Sequence, residues 1–581
     1  MRWVLAIALG ATVGCQRAAP PPSPPRPAGA GTARQDPNAR LDELVREHID
    51  ATLAASPTTA TWLGVHSFDD RLDDASPEAQ SREVGRLRSL LQRLGALRDG
   101  DLDANHRIDR ALLEREARLA LLDIDGRPLE RNPIRYADLA AAGIDELLAR
   151  EFAPLPERLH AVNARLLKLR PLFDEARRNL RNPPELATRK AIEILQGMRG
   201  FVAETLPSVV AAVGDDKVSA EFRFAQADAL RSLDDALGWM QRDLLPRSKG
   251  EFALGRERFL ERLRVSDGIE LPPEQLLALA EKDMRSLHRR YEETARQIAP
   301  GKAPADAPRV LEDDHGAPEQ LLPSVEATLG QIAGFVHEHE LATVPAARPT
   351  VTPMPPFLWG FAELSAPGPL ETRWREARFY VDPVDRAWNA KKRDEHLRAF
   401  NRPSMVIATL HGALPGNWLL GEAARAAPTP MQRFARSVTF ADGWSGYIEQ
   451  EMLEEGFAEG DLKVRLASER EALVMACRMV AAIRLHAFGA KVEDAVKIFT
   501  EEAWLDEYAA RREAERCAFD PFCLAPALGR LEILRLRDDV RAERGDAFRL
   551  GEFHDQLLAH GMAPVEVLRR VLLPDDDDAP L

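Results

Sequence analysis

Hydrophobic positions recur at i, i+3 and i+4 spacing along most of this chain. Leu, Ala and Ile hold these positions in stretches 40–55, 78–98, 104–122, 156–181, 186–213, 219–246, 273–297 and 319–342, with Arg and Glu between them. This is the pattern of helices that bury one face. Start signals agree with it. Ser76-Pro77 offers an N-cap followed by proline in the first turn, and Asn182-Pro183-Pro184 separates two helical stretches. Two segments interrupt the pattern: APGKAPADAPR at 299–309, and the Pro- and Gly-rich stretch at 344–369. After the second comes ARFYVDP at 377–383, whose Phe379, Tyr380 and Val381 suit a pleated surface. These segments predict a small antiparallel β-ribbon at about 345–385 within a predominantly α-helical chain. No repeat of solenoid length is visible.

The first residues depart from this globular pattern. Arg2 precedes an apolar run, Val4 to Val13, that ends in Gly14-Cys15 and enters a Pro-rich stretch. A run of about 10 apolar residues falls short of the ~20 that span a bilayer, so it reads as a signal segment. Small residues before a cysteine resemble a bacterial lipoprotein signal (1–15) in which Cys15 becomes the site of lipid attachment. The alternative is an ordinary signal peptide with an incidental cysteine. Residues 16–38 form a flexible, partly polyproline tether. Gln16 resembles the residue that follows the lipidated cysteine in lipoproteins sorted to the outer membrane, facing the periplasm or the surface.

The remaining composition, 45% hydrophobic and 29% charged in a chain of 581 residues, supplies a large core. A formal net charge of -15 disfavours nucleic-acid partners, because phosphate backbones need a basic face. The acidic tail at 573–581 reads as a solvated end. Of the four cysteines, Cys517 and Cys523 enclose a short loop suited to a disulfide in an oxidising compartment, while two thiolates alone do not complete a metal site. Cys477 lies in an apolar helical pattern and reads as a core thiol.

Chemistry concentrates in HGALPGNW at 411–418 and DGWSGYIE at 442–449. They resemble HExxPGHH followed by EGWAxYxE, the two halves of a helical zinc-peptidase site. With ASPTTATWLGVHSFDDRLDDAS at 55–76, PPFLWGF, FYVDP, RLHAFG at 484–489, GRLEILRLRDD at 529–539 and EFHDQLLAHGMAPVEVLRRVL at 552–572, the chain resembles the bacterial family catalogued as domain of unknown function 885. The resemblance implies a two-lobed metallopeptidase-like fold around a cleft. The N-terminal helical lobe would run over 39–310 and the C-terminal lobe over 311–572, with the ribbon beside the metal-site helices.

The departures from that pattern bear on function. A catalytic zinc needs several ligands, an open position for water and a base. His411 remains, but Gly412 stands in place of the base, Asn417 and Trp418 in place of histidines, and Asp442 in place of a glutamate. Phe522 and Pro526 replace the Gln and Tyr of the family pattern, which removes a hydroxyl suited to oxyanion stabilisation. Ala482 replaces an Asp. The metal positions read as vestigial, and no cofactor is expected unless zinc is unexpectedly retained.

Arg484, Trp444, Tyr447, Glu449 and His486 are candidates to line the old cleft. Arg484 is also a candidate to fill the emptied metal pocket by pairing with Asp442 or Glu449. Against these stand plainer readings, with His411 and His486 as interior histidines, Trp444 as core, and His554 paired locally with Asp555. No P-loop, HExxH or GxSxG elbow is present, and Ser445 with His411 or His486 is a weak serine-hydrolase alternative. The expected function is an envelope lipoprotein, catalytically inactive, that binds a peptide, an envelope component or a partner protein. The alternative is a hydrolase with an altered metal site.

Overall fold

The computed structural model describes residues 36–355, 358, 360–372, 376–574 and 580–581. Cys15 and the signal segment lie outside them, as does most of the tether. The described chain is mostly helical with one small sheet, and no described helix is long and apolar enough to cross a membrane.

The expected helices are present with local punctuation. Stretch 156–181 divides into Leu155–Leu166 and Leu169–Asn179, and 186–213 into Glu185–Gly200 and Leu206–Val213 joined by one wider turn. The 299–309 segment is a loop that ends in the short helix Pro308–Glu312.

The sheet corrects the expected ribbon. It has three strands, β1 (Thr350–Pro353), β2 (Ala362–Ser365) and β3 (Arg378–Val381), in the order β1-β3-β2. β2 is antiparallel to β3, but β1 is parallel to it, with Val351 opposite Phe379. A tight turn allows only antiparallel pairing, whereas the long chain between β1 and β3 can return in the same direction. β3 takes the centre because Phe379, Tyr380 and Val381 are all buried.

Buried side chains form two hydrophobic clusters. One, from Leu129 to Leu244 with Ala75, is built by the helices of the chain's second quarter. The other joins residues 41–117 to residues 259–573. The first helices thus pack with the C-terminal half, and the division of buried side chains does not follow the boundary near 310.

The larger cluster is held tightest where helix Val438–Glu454 crosses helix Ala525–Arg544. A Cβ on Gly443 would lie 2.4 Å from the Gly529 carbonyl carbon, and one on Gly529 would lie 1.9 Å from the Thr439 oxygen. Only two glycines let these backbones approach so closely. The crossing fixes the helix that carries Asp442, Trp444, Tyr447 and Glu449.

Candidate functional site

His411 ends the helix Arg402–Gly412, which starts at Asn401, whose side chain accepts from Ser404 N at 3.0 Å. The ring's Nδ1 lies 2.5 Å from Oε1 of Glu449, which belongs to the helix Val438–Glu454 capped by Ser437. Glu449 is buried, while 35% of the His411 side chain stays accessible. Burial disfavours the charged imidazole, but Glu449, then Glu471 and Asp442, outweigh it and raise the His411 pKa. Glu471, on the helix Leu462–Phe488, has its carboxyl raised by burial and by Glu449. The result is a histidine oriented by one carboxylate and biased toward its protonated form by three.

Glu449 also forms part of the wall of a cavity of about 380 Å³. Glu469, Glu454 and Glu293 face Arg290, Arg465 and Arg530 across it. One oxygen of Glu469 is buried there without a hydrogen bond among the described residues. The wall is thus of mixed charge.

The HGALPGNW segment is not one continuous helix. The helix stops at Gly412, the Leu414-Pro415 bond is cis, and a new helix, Asn417–Ala426, begins three residues after Leu414. The turn is tied to the neighbouring helix by Trp444 Nε1, which donates to Pro415 O at 3.0 Å, and by Ser445 Oγ, which donates to Asn417 Oδ1 at 2.9 Å. Trp418 is buried. Asp442 pairs with Arg436 at 3.1 Å. At the base position, a Cβ on Gly412 would meet the Phe379 ring at 2.8 Å.

Of the positions aligned with the metal pattern, Asn417 accepts from Ser445 and Asp442 holds Arg436, while His411, whose Nδ1 is bonded to Glu449, has Nε2 left as a single donor. No group of three or more His, Cys, Asp or Glu residues converges as metal ligands among the described residues. The space beside Gly412 holds the Phe379 ring.

The other candidates are placed as follows. Trp444 and Tyr447 are fully buried. Tyr447 OH lies 2.7 Å from Nε2 of His554, whose Nδ1 lies 2.7 Å from Leu341 O. His554 therefore serves the core, and Asp555 instead binds Thr343. His486 Nε2 donates to Cys517 O at 2.8 Å, and the ring borders a separate cavity of about 330 Å³ near Phe522 and Arg262. Burial pushes both histidines down to about 4.

Arg484 corrects an expectation. It pairs with Glu281 at 2.7 Å, while Asp442 and Glu449 hold Arg436 and His411. From near the end of its helix, Arg484 reaches the adjacent helix Pro273–Ile298. Ser445 is likewise engaged by Asn417, and it lies 3.4 Å from the His411 carbonyl oxygen rather than serving the ring as a nucleophile. Cys517 and Cys523 form a disulfide, and Cys477 is a buried free thiol.

Sequence reasoning missed three contributors. Glu471 and Arg436 lie outside both motif segments, and Phe379 read only as a strand residue. A strand residue predicted to be buried beside a glycine at the base position was the available signal for the last.

The profile of the family described as bacterial protein of unknown function (DUF885) matches residues 57–572. The chain belongs to the DUF885 family. No curated protein matches it. Among solved structures, this DUF885 member is similar to a proposed lipoprotein of unknown function from Shewanella oneidensis, with 22% identity, a TM-score of 0.76, and 92% of this chain and 99% of that one covered. It is also similar to a proposed lipoprotein from Colwellia psychrerythraea, at 18% identity and a TM-score of 0.78, covering 92% and 98% of the two chains. At these identities the likeness establishes a shared fold.

Proposed function

We propose that this DUF885 member is an envelope lipoprotein with a two-lobed, metallopeptidase-like ancestry whose cleft binds a ligand without hydrolysing it. Lipid at Cys15 would anchor the chain, and a peptide, an envelope component or a partner protein would enter beside Glu449. The observation that carries this reading is the Phe379 ring against Gly412. The site has lost its base in sequence, and the volume beside Gly412 is taken up as well, while the other donors have found partners within the protein. A binding role is further supported by the cavity of about 380 Å³ that persists beside Glu449.

The test is equilibrium binding and cleavage of a defined library of short peptides, followed by mass spectrometry with added zinc. The reading expects peptides retained intact, with retention reduced by Glu449→Gln. Cleavage that is abolished by His411→Ala would overturn it.

A second reading rests on one observation. A histidine held by a carboxylate, with part of its side chain accessible, is the arrangement by which imidazole serves as general acid or base. Metal-independent cleavage lost in both His411→Ala and Glu449→Gln would favour it.

A further inference from the structure

The largest cavity among those described, about 710 Å³, lies away from His411, between the helices Ala104–Asp125, Arg256–Asp267 and Val565–Leu572. Its wall carries six arginines (107, 110, 115, 118, 264 and 570) against three carboxylates, Asp99, Glu114 and Glu566. In a chain of net charge -15 this is a local reversal of sign.

The carboxylates are shared. Glu566 serves both Arg115 and Arg570, and Glu114 serves both Arg110 and Arg118. Arg110 also holds Asp99 at 3.1 Å, and Arg264 turns to Glu261 at 2.7 Å. Arg107 has a hydrogen bond to Leu102 O but no carboxylate partner among the described residues. Arg115 also donates to Val265 O at 2.9 Å, and the Nε groups of Arg110 and Arg115 are buried without a hydrogen bond among the described residues. Asp267 and Glu532 are buried carboxyls near Arg115, and burial raises the pKa of both. Donor capacity therefore exceeds acceptor capacity. Apolar side chains share the same cavity, including Ile108, Val567 and the exposed Val571.

Position adds a second argument. Asn38, in the first turn of the helix Pro37–Ala55, exchanges hydrogen bonds with Asp103, the N-cap of the helix Ala104–Asp125. Ala104, Asn105, Arg107 and Ile108, in the next turn, line the cavity. The cavity thus opens beside the point where the N-terminal segment that carries Cys15 joins the body.

We propose that this cavity is a phosphate-ester site, with guanidinium groups holding the phosphate and the apolar wall receiving what is attached to it. Guanidinium forks match phosphate oxygens, and basic pockets beside a membrane recognise anionic headgroups. The ester could come from a membrane phospholipid or from a soluble phosphorylated compound. The anchoring that places a membrane nearby rests on the lipoprotein reading, but the cavity's chemistry does not.

The experiment uses the full chain carrying Cys15→Ser, titrated by calorimetry with dioctanoyl phosphatidylglycerol, dioctanoyl phosphatidylcholine, glycerol 3-phosphate and tetraglutamate. One phosphate ester is expected to bind per chain, with affinity falling about tenfold in Arg115→Gln. Arg107→Gln, an exposed change that leaves the core intact, should fall about threefold in the same direction. Phosphatidylglycerol binding tighter than glycerol 3-phosphate supports the lipid source, and equal affinities support the soluble source. The inference is overturned if no phosphate ester binds, if both variants bind as the parent does, or if tetraglutamate binds best.

Discussion

Phe379 and Gly412 are packed so closely that a Cβ at position 412 would lie 2.8 Å from the phenyl ring. Phe379 comes from the central strand of the sheet and is 1% exposed. Gly412 is therefore the residue that lets the sheet dock against the end of the His411 helix.

This contact makes Gly412→Glu an informative substitution. A glutamate here must displace a buried ring, which costs about 1–3 kcal/mol as overpacking, and under the proposed binding role it brings no new hydrolysis. Chemical denaturation together with a peptidase assay checks both halves. A stable Gly412→Glu protein would contradict the packing argument.

The His411–Glu449 pair gives stability a defined pH dependence. Burial opposes the charged ring, but Glu449, Glu471 and Asp442 win and raise its pKa. A histidine raised on folding contributes stability that is complete below the unfolded value of about 6.5 and is lost as pH climbs through the folded value. Glu449→Gln should therefore destabilise more near pH 6 than near pH 9. It should also lower the His411 titration midpoint seen by NMR. An equal loss at both pH values would mean that the pair is not charged.

Acid should act through other histidines. His48, His486 and His554 are buried and pushed down to about 4. A histidine depressed on folding contributes stability above about pH 6.5 that is lost as pH falls toward the folded value, on the order of 3 kcal/mol for a fully buried ring. Denaturation midpoints should drop steeply between about pH 6.5 and pH 4, with a shallower slope in His554→Gln. An unchanged slope would show that His554 is not titrated by unfolding.

Much of this architecture was legible in the sequence, because helical periodicity depends on neighbours three and four positions apart. The helices, the proline breaks and the strand at 378–381 follow from that local signal. The parallel pairing of β1 with β3 was not legible, since it depends on how a long connection returns. At the site, the departures at 412, 417 and 418 from the resembled pattern were plain in the sequence, and His411 and Glu449 were each singled out. That the two pair with each other, and that Phe379 packs on Gly412, was not legible. Phe379 lies more than thirty residues from Gly412, and Arg484, adjacent to the site in motif terms, turns instead to Glu281. Tyr447 was read as a cleft residue from its motif segment, but its partner His554 is a core group, whereas His486 donates to the Cys517 carbonyl and also borders the cavity of about 330 Å³.

The Cys517–Cys523 bridge closes a short loop, with a sequence separation of 6, beside the carbonyl that receives His486. Cys517→Ala with Cys523→Ala should cost about 2 kcal/mol. A reductant should lower the stability of the parent by a similar amount and leave the double variant unmoved. Identical stability of the parent with and without reductant would show that the bridge is not formed in solution.

The most direct test of the central claim, that the cleft has exchanged metal chemistry for binding, is the zinc content of the purified chain after dialysis against trace zinc, measured by mass spectrometry beside His411→Ala. The account predicts well under one zinc per chain, unchanged by the substitution. Close to one zinc per chain, lost in His411→Ala, would contradict it.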